Sequence, residues 1–307
     1  MVDKDVLYFQ LLREFSGPSM LRRSGFESLT DLSKKLGVDD QTVRKSLKRF
    51  QNSGFLKKWS VILNPHVFDM EAESIILETP KLGHRTKSQV LDQLMLIDGV
   101  VILFTFLDGS GFRLILLYKD QKDLDRKVRL LSAVCKISRK PLMWKLVYPT
   151  VNMRLKLTDW SLMEMLLQNS HASPSAMAAK IGVSARTVRR RLALLSENQA
   201  FFVDPVVDFK QIAGFLYMFI ISYSSRKEKN DGDSLLFKSP EPIIFVDTTA
   251  EFYTVIAIIC QNVSQANRIS TWLRHINGAK QVVSQIVEDR ILVHDWLEGE
   301  IEHRIYG

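Results

Sequence analysis

The chain has 307 residues, 46% of them hydrophobic and 25% charged, and this composition argues against a disordered protein because it can fill buried cores. Its formal net charge is +8, and its two cysteines, Cys135 and Cys260, indicate neither a disulfide framework nor a metal site. No apolar run is long enough to cross a bilayer and no secretory signal opens the sequence, so we expect a cytoplasmic protein without a membrane partner.

The first predicted elements are three helices. Leucines and aromatics at three- and four-residue spacing predict a helix over 5–15. A second helix is predicted to begin at Ser28 as N-cap and to end at Gly37 in the left-handed conformation. A third follows, capped by Asp39. A helix, a short glycine turn and a helix predict a helix-turn-helix.

The third helix is predicted to bury only Val43, Leu47 and Phe50, and its remaining side is polar and basic. The residues predicted on that outward side are Gln41, Thr42, Arg44, Lys45, Lys48 and Arg49. Such side chains can read base edges in the major groove of DNA. Lys57 and Lys58 are predicted to lie on a wing strand and to contact phosphates. The alternative is a basic helix face that meets only solvent.

A strand, helix, strand, strand, helix, strand pattern follows. Strands are predicted at 73–79, 100–106, 112–118 and 142–148, with helices near 86–97 and 120–135. This order is typical of a βαββαβ ferredoxin-like domain.

The same pattern returns in the second half of the chain. At an offset of 145 residues, eight of 23 positions are identical between 28–50 and 173–195. The predicted elements are helices at 159–169 and 173–182, a third helix capped by Ser184, strands at 215–223, 242–248, 252–260 and 282–296, and a helix near 262–277. The polar stretch 224–234 is predicted to be a loop that replaces the first crossover helix.

The second copy of the third helix is less basic. The cations and threonine at its start are Arg186, Thr187, Arg189, Arg190 and Arg191. Ala193 and Leu194 replace the two later cations, and Leu194, Phe201 and Phe202 are predicted to be exposed toward a protein neighbour. Two interpretations stay open: a partly dimerising unit and a second DNA reader.

The net excess of positive charge lies in the two predicted helical segments. Residues 1–60 hold 12 Lys and Arg against 7 Asp and Glu, and residues 151–210 hold 8 against 5, which together is the whole excess. This partition predicts two units that bind a polyanion. The predicted strands are apolar on both faces, so we expect a second sheet to cover them, from the other half of the chain or from another chain.

These residues resemble the leucine-responsive regulator and asparagine regulator (Lrp/AsnC) family of transcription factors, present twice in one chain. The resemblance rests on "LGVDDQTVRKSLKRFQNSGFL" and "AAKIGVSARTVRRRLALL" and covers essentially all 307 residues. It implies an α+β fold, a tandem repeat of a winged helix-turn-helix and a ferredoxin-like domain, with boundaries at 1–65, 66–150, 151–210 and 211–307.

The resemblance also implies a small-molecule effector site at the turn between the second and third strands of each sheet. The candidate ligand residues there are Phe112, Arg113, Phe252 and Tyr253. The acid expected in this turn is replaced by Arg113 and Tyr253, which argues against an amino-acid ligand. Arg113 could face an anionic ligand, or it could be an ion-paired or surface arginine.

We therefore expect a regulator that binds double-stranded DNA, forms a homodimer through its sheet domains, and uses no cofactor or metal. The six histidines are scattered and no catalytic motif is present, so we expect that the chain is not an enzyme. Two alternatives remain: a siroheme decarboxylase, since such enzymes share this architecture, and a module that binds proteins through its winged helices.

Overall fold

The computed structural model describes residues 29–80, 84–137, 139–211, 214–239, 241, 243–247 and 250–307. The helix predicted over 5–15 and the predicted N-cap Ser28 lie outside these residues. Elements are numbered below in chain order within the described residues.

The first half begins with two helices and a strand. They are α1 (Leu29–Leu36), α2 (Asp40–Asn52) and β1 (Leu56–Leu63). The sheet elements follow after a short 3-10 helix: β2 (Glu71–Glu78), α3 (His84–Met95), β3 (Val100–Phe106), β4 (Gly111–Tyr118), α4 (Gln121–Val134) and β5 (Leu142–Leu146). The predicted βαββαβ order is therefore observed in the first half.

The second half begins with three helices and a strand. They are α5 (Leu157–Gln168), α6 (Pro174–Ile181), α7 (Ala185–Glu197) and β6 (Phe201–Val207). Its sheet elements are β7 (Phe215–Tyr223), α8 (Arg226–Lys238), β8 (Ile243–Asp247), β9 (Tyr253–Cys260), α9 (Val263–Arg274) and β10 (Ala279–Leu292), followed by α10 (Asp295–Tyr306). The βαββαβ order thus occurs again.

The helix boundaries follow the predicted capping residues. The backbone amide of Ala176 donates to Oγ of Ser173, and Gly182 ends α6 with a φ of 70°. Gly37 has a φ of 64° and turns the chain from α1 to α2. Glycine carries no penalty for this left-handed conformation, which other residues rarely adopt.

Strand pairing joins the two halves twice. β1 and β6 pair antiparallel along their length, from Leu56 opposite Val207 to Leu63 opposite Phe201. The remaining strands follow the order β5-β2-β4-β3-β10-β7-β9-β8. β10 makes the second junction: its first part, from Ala279, pairs with β7, and its last part, from Val287 to Leu292, pairs with β3.

Three apolar clusters fill the part of the molecule that the structure describes. One lies between β2–β4 and helices α3 and α4, and a second lies between the strands of the second half and helices α8 and α9. The third contains the opposite faces of both sets of strands together with the buried faces of α1, α2, α5, α6 and α7. The second sheet face, apolar in the sequence, is therefore covered by the other half of the same chain.

Three sequence predictions are wrong at this level. Residues 224–234 were predicted as a loop, but α8 spans Arg226–Lys238. The strand predicted over 282–296 ends at Leu292, and the helix α10 follows. Phe201 and Phe202 are each only 1% exposed, because β6 packs them into the molecule's own core, so they offer no surface to a protein neighbour.

Candidate nucleic-acid interface

The start of α2 is fixed by a network of short polar side chains. The amide of Thr42 donates to Oδ1 of Asp39 at 2.8 Å, and the Thr42 hydroxyl donates to Oδ2 at 2.7 Å. Asp40 accepts hydrogen bonds from the hydroxyls of Thr30, at 2.7 Å, and Ser33, which join α2 to α1. These bonds lower the pKa of Asp39, through Thr42, and of Asp40, through Ser33. The angle between the two helices is thereby held by charge-assisted hydrogen bonds.

The predicted faces of α2 are separated in the structure as the sequence indicates. Val43 and Phe50 are buried and Leu47 packs against the same core. The exposed side chains of the opposite face are Gln41, Arg44, Lys45, Lys48 and Arg49. Thr42 is only partly exposed and its hydroxyl serves the cap, so its polar atoms are committed to the helix.

Strand β1, predicted as a wing, places Lys57 and Lys58 in solvent. Nζ of Lys57 lies 3.0 Å from Oδ2 of Asp208, just beyond the end of β6, and this bond lowers the pKa of Asp208. A phosphate that bound Lys57 would compete with this carboxylate.

Helix α7 presents a shorter basic face. The amide of Thr187 donates to Oγ of Ser184 at 3.1 Å, as predicted for the N-cap. The exposed cations of its first two turns are Arg186, Arg189 and Arg190. Val188 and Leu195 are fully buried on the other side.

Arg191 departs from the sequence interpretation, which counted it with the basic end of α7. Its Nε donates to Oδ1 of the fully buried Asp159 at 2.6 Å, and its Nη2 pairs with Oδ2 of the same carboxylate. This hydrogen bond raises the pKa of Arg191. The residue therefore fastens α7 to α5 and is not part of the exposed face.

The buried polar side chains of Asn64 and Ser170 hold the ends of β1 and α5 to neighbouring segments. Nδ2 of Asn64 donates to the carbonyls of Pro149, at 2.8 Å, and Gln199, at 2.9 Å. The hydroxyl of Ser170 donates to the carbonyl of Trp59 at 2.8 Å. The Asn64–Gln199 and Ser170–Trp59 bonds cross between the two halves, so they help to hold one helical unit against the other.

The candidate effector residues of the two turns have different surroundings. Phe112 is fully buried in the cluster beneath α3 and α4, whereas Phe252 is 42% exposed and Tyr253 packs partly into the inter-sheet core. Nε of Arg113 donates to Oγ of Ser74 at 3.0 Å. Its Nη2 lies 3.3 Å from Oδ2 of Asp247, so Arg113 is ion-paired inside the protein.

The partners of Arg113 could not be found from the sequence. Nε1 of Trp144 also donates to Oδ2 of Asp247, at 3.3 Å. The guanidinium of Arg113 lies 5.4 to 5.6 Å from the ring centroids of Phe104, Trp144 and Phe245. Burial lowers the pKa of Arg113, and the carboxylate of Asp247 opposes this shift.

A second buried ion pair joins the β1–β6 ribbon to the sheets. Nη1 of Arg290 in β10 lies 2.6 Å from Oδ2 of Asp204 in β6. The Arg290 guanidinium lies 5.9 Å from the Phe104 ring, which also contacts Arg113. Burial raises the pKa of Asp204, while Arg290 opposes the shift.

An open cleft of about 440 Å³ is lined by Leu96, which is 82% exposed, and by His294 at the start of α10. Burial lowers the pKa of His294.

Over the described ranges, no group of three or more His, Cys, Asp or Glu side chains is arranged to hold a metal ion. No described helix is long and apolar enough to cross a bilayer.

Comparison with known proteins identifies one segment by sequence. Residues 155–198 match the family model described as winged helix-turn-helix DNA-binding, which covers α5, α6 and α7. The predicted helix-turn-helix is therefore confirmed for this segment. No curated protein matches the chain in sequence.

Two solved structures match this chain over nearly its whole length, and a third matches part of it. The siroheme decarboxylase NirDL matches with a TM-score of 0.56 and 9% identity, over 97% of this chain and 98% of that one. Its complex with an iron-uroporphyrin III analogue matches with a TM-score of 0.55, also at 9% identity, over 98% of this chain and all of that one. AsnC from E. coli matches 44% of this chain and 93% of its own, at 19% identity and a TM-score of 0.37.

The first two likenesses show that the chain shares the α+β fold of these structures. They also correct one interpretation. The prediction that the chain is not an enzyme is wrong, because a solved structure that shares its fold from end to end is an enzyme. The architecture and the lack of a familiar motif therefore give no ground for excluding catalysis.

Proposed function

We propose that the protein is a transcriptional regulator that binds double-stranded DNA, with α2 and α7 entering successive major grooves. The observation that carries this proposal is the basic, exposed face of α7 within the segment that matches a DNA-binding winged helix-turn-helix. Helix α2 supports it, because a polar and basic face is likewise exposed after a capped start and a glycine turn.

The proposal assigns distinct roles along α2. Gln41, Arg44 and Lys45 lie in its first turns and would face base edges. Lys48 and Arg49 lie one turn later and would contact phosphates, as would Lys58 on the wing. Lys57 would contribute only by exchanging Asp208 for a phosphate. On α7 the corresponding groups are Arg186, Arg189 and Arg190.

The proposal includes the duplicated organisation expected from the sequence, with two winged helix-turn-helix units at 1–65 and 151–210 and sheet domains at 66–150 and 211–307. The inner sheet faces pack on each other within one chain. A homodimer would therefore have to use other surfaces. The homodimer and a small-molecule effector remain predictions, and the pairing of Arg113 with Asp247 gives the effector no support.

The test is binding of the full chain to DNA over a range of salt concentration. We expect the logarithm of the binding constant to fall linearly with the logarithm of salt, by about 0.9 for each phosphate contacted. Arg44→Ala should cost about 1–3 kcal/mol on a preferred sequence and relax base preference, if Arg44 donates to guanine. Lys57→Ala should weaken all sequences alike.

Arg274→Ala is the matched control, since Arg274 is an exposed arginine in the last turn of α9, a helix of the sheet region. It should leave binding unchanged. The proposal would be contradicted by a DNA-binding constant that does not change with salt concentration. Equal losses of DNA affinity from Arg274→Ala and Arg44→Ala would also contradict it.

A second candidate is an enzyme related in activity to the siroheme decarboxylase. The observation that favours it is the end-to-end likeness to NirDL, including the complex with an iron-uroporphyrin III analogue. Against it, Arg113 is already ion-paired to Asp247, and aromatic rings surround it between the sheets. The visible absorption of iron-uroporphyrin III mixed with the protein separates the candidates: a saturable spectral change would favour the enzyme.

A further inference from the structure

The exposed faces of helices α2 and α7 can be compared residue by residue. Each has 13 residues, and each begins at a side-chain cap that accepts from the amide of a threonine, Thr42 or Thr187. The residue after that threonine, Val43 or Val188, is fully buried in both. The two helices therefore have the same cap position and the same buried side. Residues that lie 145 positions apart in the sequence occupy equivalent positions on their exposed faces.

One pair of equivalent exposed residues is identical. Arg44 and Arg189 both lie one residue after the buried valine and are exposed. An arginine at this position suits guanine, to which it donates two hydrogen bonds. The two helices therefore share one reading group.

A second exposed pair differs in chemistry. Gln41 in the first turn of α2 is replaced by Arg186 in α7, and both are exposed. Glutamine both donates and accepts, which matches adenine, whereas arginine only donates and matches guanine. At this position the two helices have different preferred bases.

The last turns differ in charge. Lys48 and Arg49 are exposed on α2, while Ala193 and Leu194 stand in their places on α7. Arg191, which follows the exposed Arg186, Arg189 and Arg190, is held by the buried Asp159. Helix α7 therefore has fewer groups for phosphates than α2.

We infer that the chain recognises an asymmetric DNA site made of two unlike half-sites, and that Gln41 and Arg186 are the residues that make them unlike. This inference rests on the proposed function. A symmetric dimer presents the same helix twice and so reads a palindrome. A single chain with two unlike helices is free of that constraint. The antiparallel pairing of β1 with β6 joins the strands that follow α2 and α7, and would hold the two helices at one spacing.

The experiment is selection of binding sites by the full chain from a randomised duplex library, followed by affinity measurements on the selected site. For the unchanged chain we expect two different half-sites in a fixed order and spacing. Gln41→Arg should change one half-site at one base pair, from A·T toward G·C, and make the halves more alike. Arg186→Gln should make the reverse change in the other half. Each variant should bind the original site about 5- to 150-fold more weakly.

Arg274→Gln, at an exposed position of α9, should select the original site and controls for loss of a surface charge. Selection of two identical half-sites would overturn the inference, and so would selection of a single half-site that Arg186→Gln does not change. Either result would still be compatible with DNA binding. If no sequence is enriched and the binding constant does not change with salt concentration, the proposed function is overturned instead. A symmetric dimer of chains would bind two copies of the asymmetric site. Within each copy, the two half-sites would still differ.

Discussion

Glu73 is a buried carboxyl group in the middle of β2, only 7% exposed. Burial raises its pKa to about 7, although Oη of Tyr118, at 3.5 Å, and the nearby Lys145 favour the charged form. The folded protein therefore keeps this proton up to about pH 7, whereas the unfolded chain releases it near 4.5. The folded state must hold an unfavourable charge once the pH exceeds 7.

We predict that the free energy of unfolding falls as the pH rises from about 5 to 7, because in this range the folded state binds more protons than the unfolded state. Glu73→Gln should remove this part of the slope. Glu78→Gln changes an exposed glutamate at the end of the same strand and serves as the control. Denaturant titrations at several pH values measure the effect, and equal slopes in the original and Glu73→Gln proteins would refute it.

Single residues also show what sequence can and cannot predict. The caps Asp39 and Ser184 were predictable, because an N-cap bonds an amide only three residues away. The pair Arg113 and Asp247 was not, because its members lie 134 residues apart and meet only when the sheets face each other. Arg191 looked like its exposed neighbours for the same reason: its partner Asp159 lies on another helix.

Helix α8 shows how a secondary-structure prediction failed. Its sequence is polar and carries a glycine, so no apolar stripe indicated a helix. Its buried side instead pairs Nζ of Lys229 with Oδ2 of Asp233 at 2.5 Å, and Asp233 accepts from Thr254 in β9. Ser225 caps the helix by accepting from the amide of Glu228. Polar residues that satisfy one another can therefore replace an apolar face, which periodicity does not detect.

Gly232 in α8 makes this packing testable. A Cβ at this position would lie 2.7 Å from the ring of the buried Tyr223, so alanine should destabilise the protein by about 1–3 kcal/mol despite its better helix propensity. Gly299 in α10 has no neighbouring atom within 4 Å of its Cβ position. Gly299→Ala should therefore stabilise by about 0.5–1 kcal/mol. Thermal unfolding compares the two, and a stabilising Gly232→Ala would mean that Tyr223 can move aside.

The molecule as a whole is held together by contacts that cross between its halves. The Arg290–Asp204 ion pair is one of them, since it joins β10 of the sheets to β6 of the two-stranded β1–β6 ribbon. The paired groups are largely buried, with 16% and 6% of their side chains exposed. Removing one partner leaves the other charge without compensation in the interior.

We predict that Arg290→Met destabilises the protein by about 3–5 kcal/mol, because Asp204 then remains buried without its cation. The double change Arg290→Met with Asp204→Leu should recover most of this loss. Arg274→Met on the exposed side of α9 is the control and should change stability little. Chemical unfolding measures all three, and a double variant no more stable than Arg290→Met would show that the charges are not coupled.

The placement of β10 has a consequence for synthesis of the chain. β10 is the last strand and bonds to both β3 and β7, which end more than 50 residues before it begins. Until residues 287–292 have left the ribosome, the edge of β3 that pairs with β10 has no strand beside it, so we expect the first half to complete its packing only after that point. A nascent chain stalled before this point would expose an apolar strand edge that can aggregate. We therefore expect folding of this protein to depend more on chaperones than folding of a protein built from two independent halves.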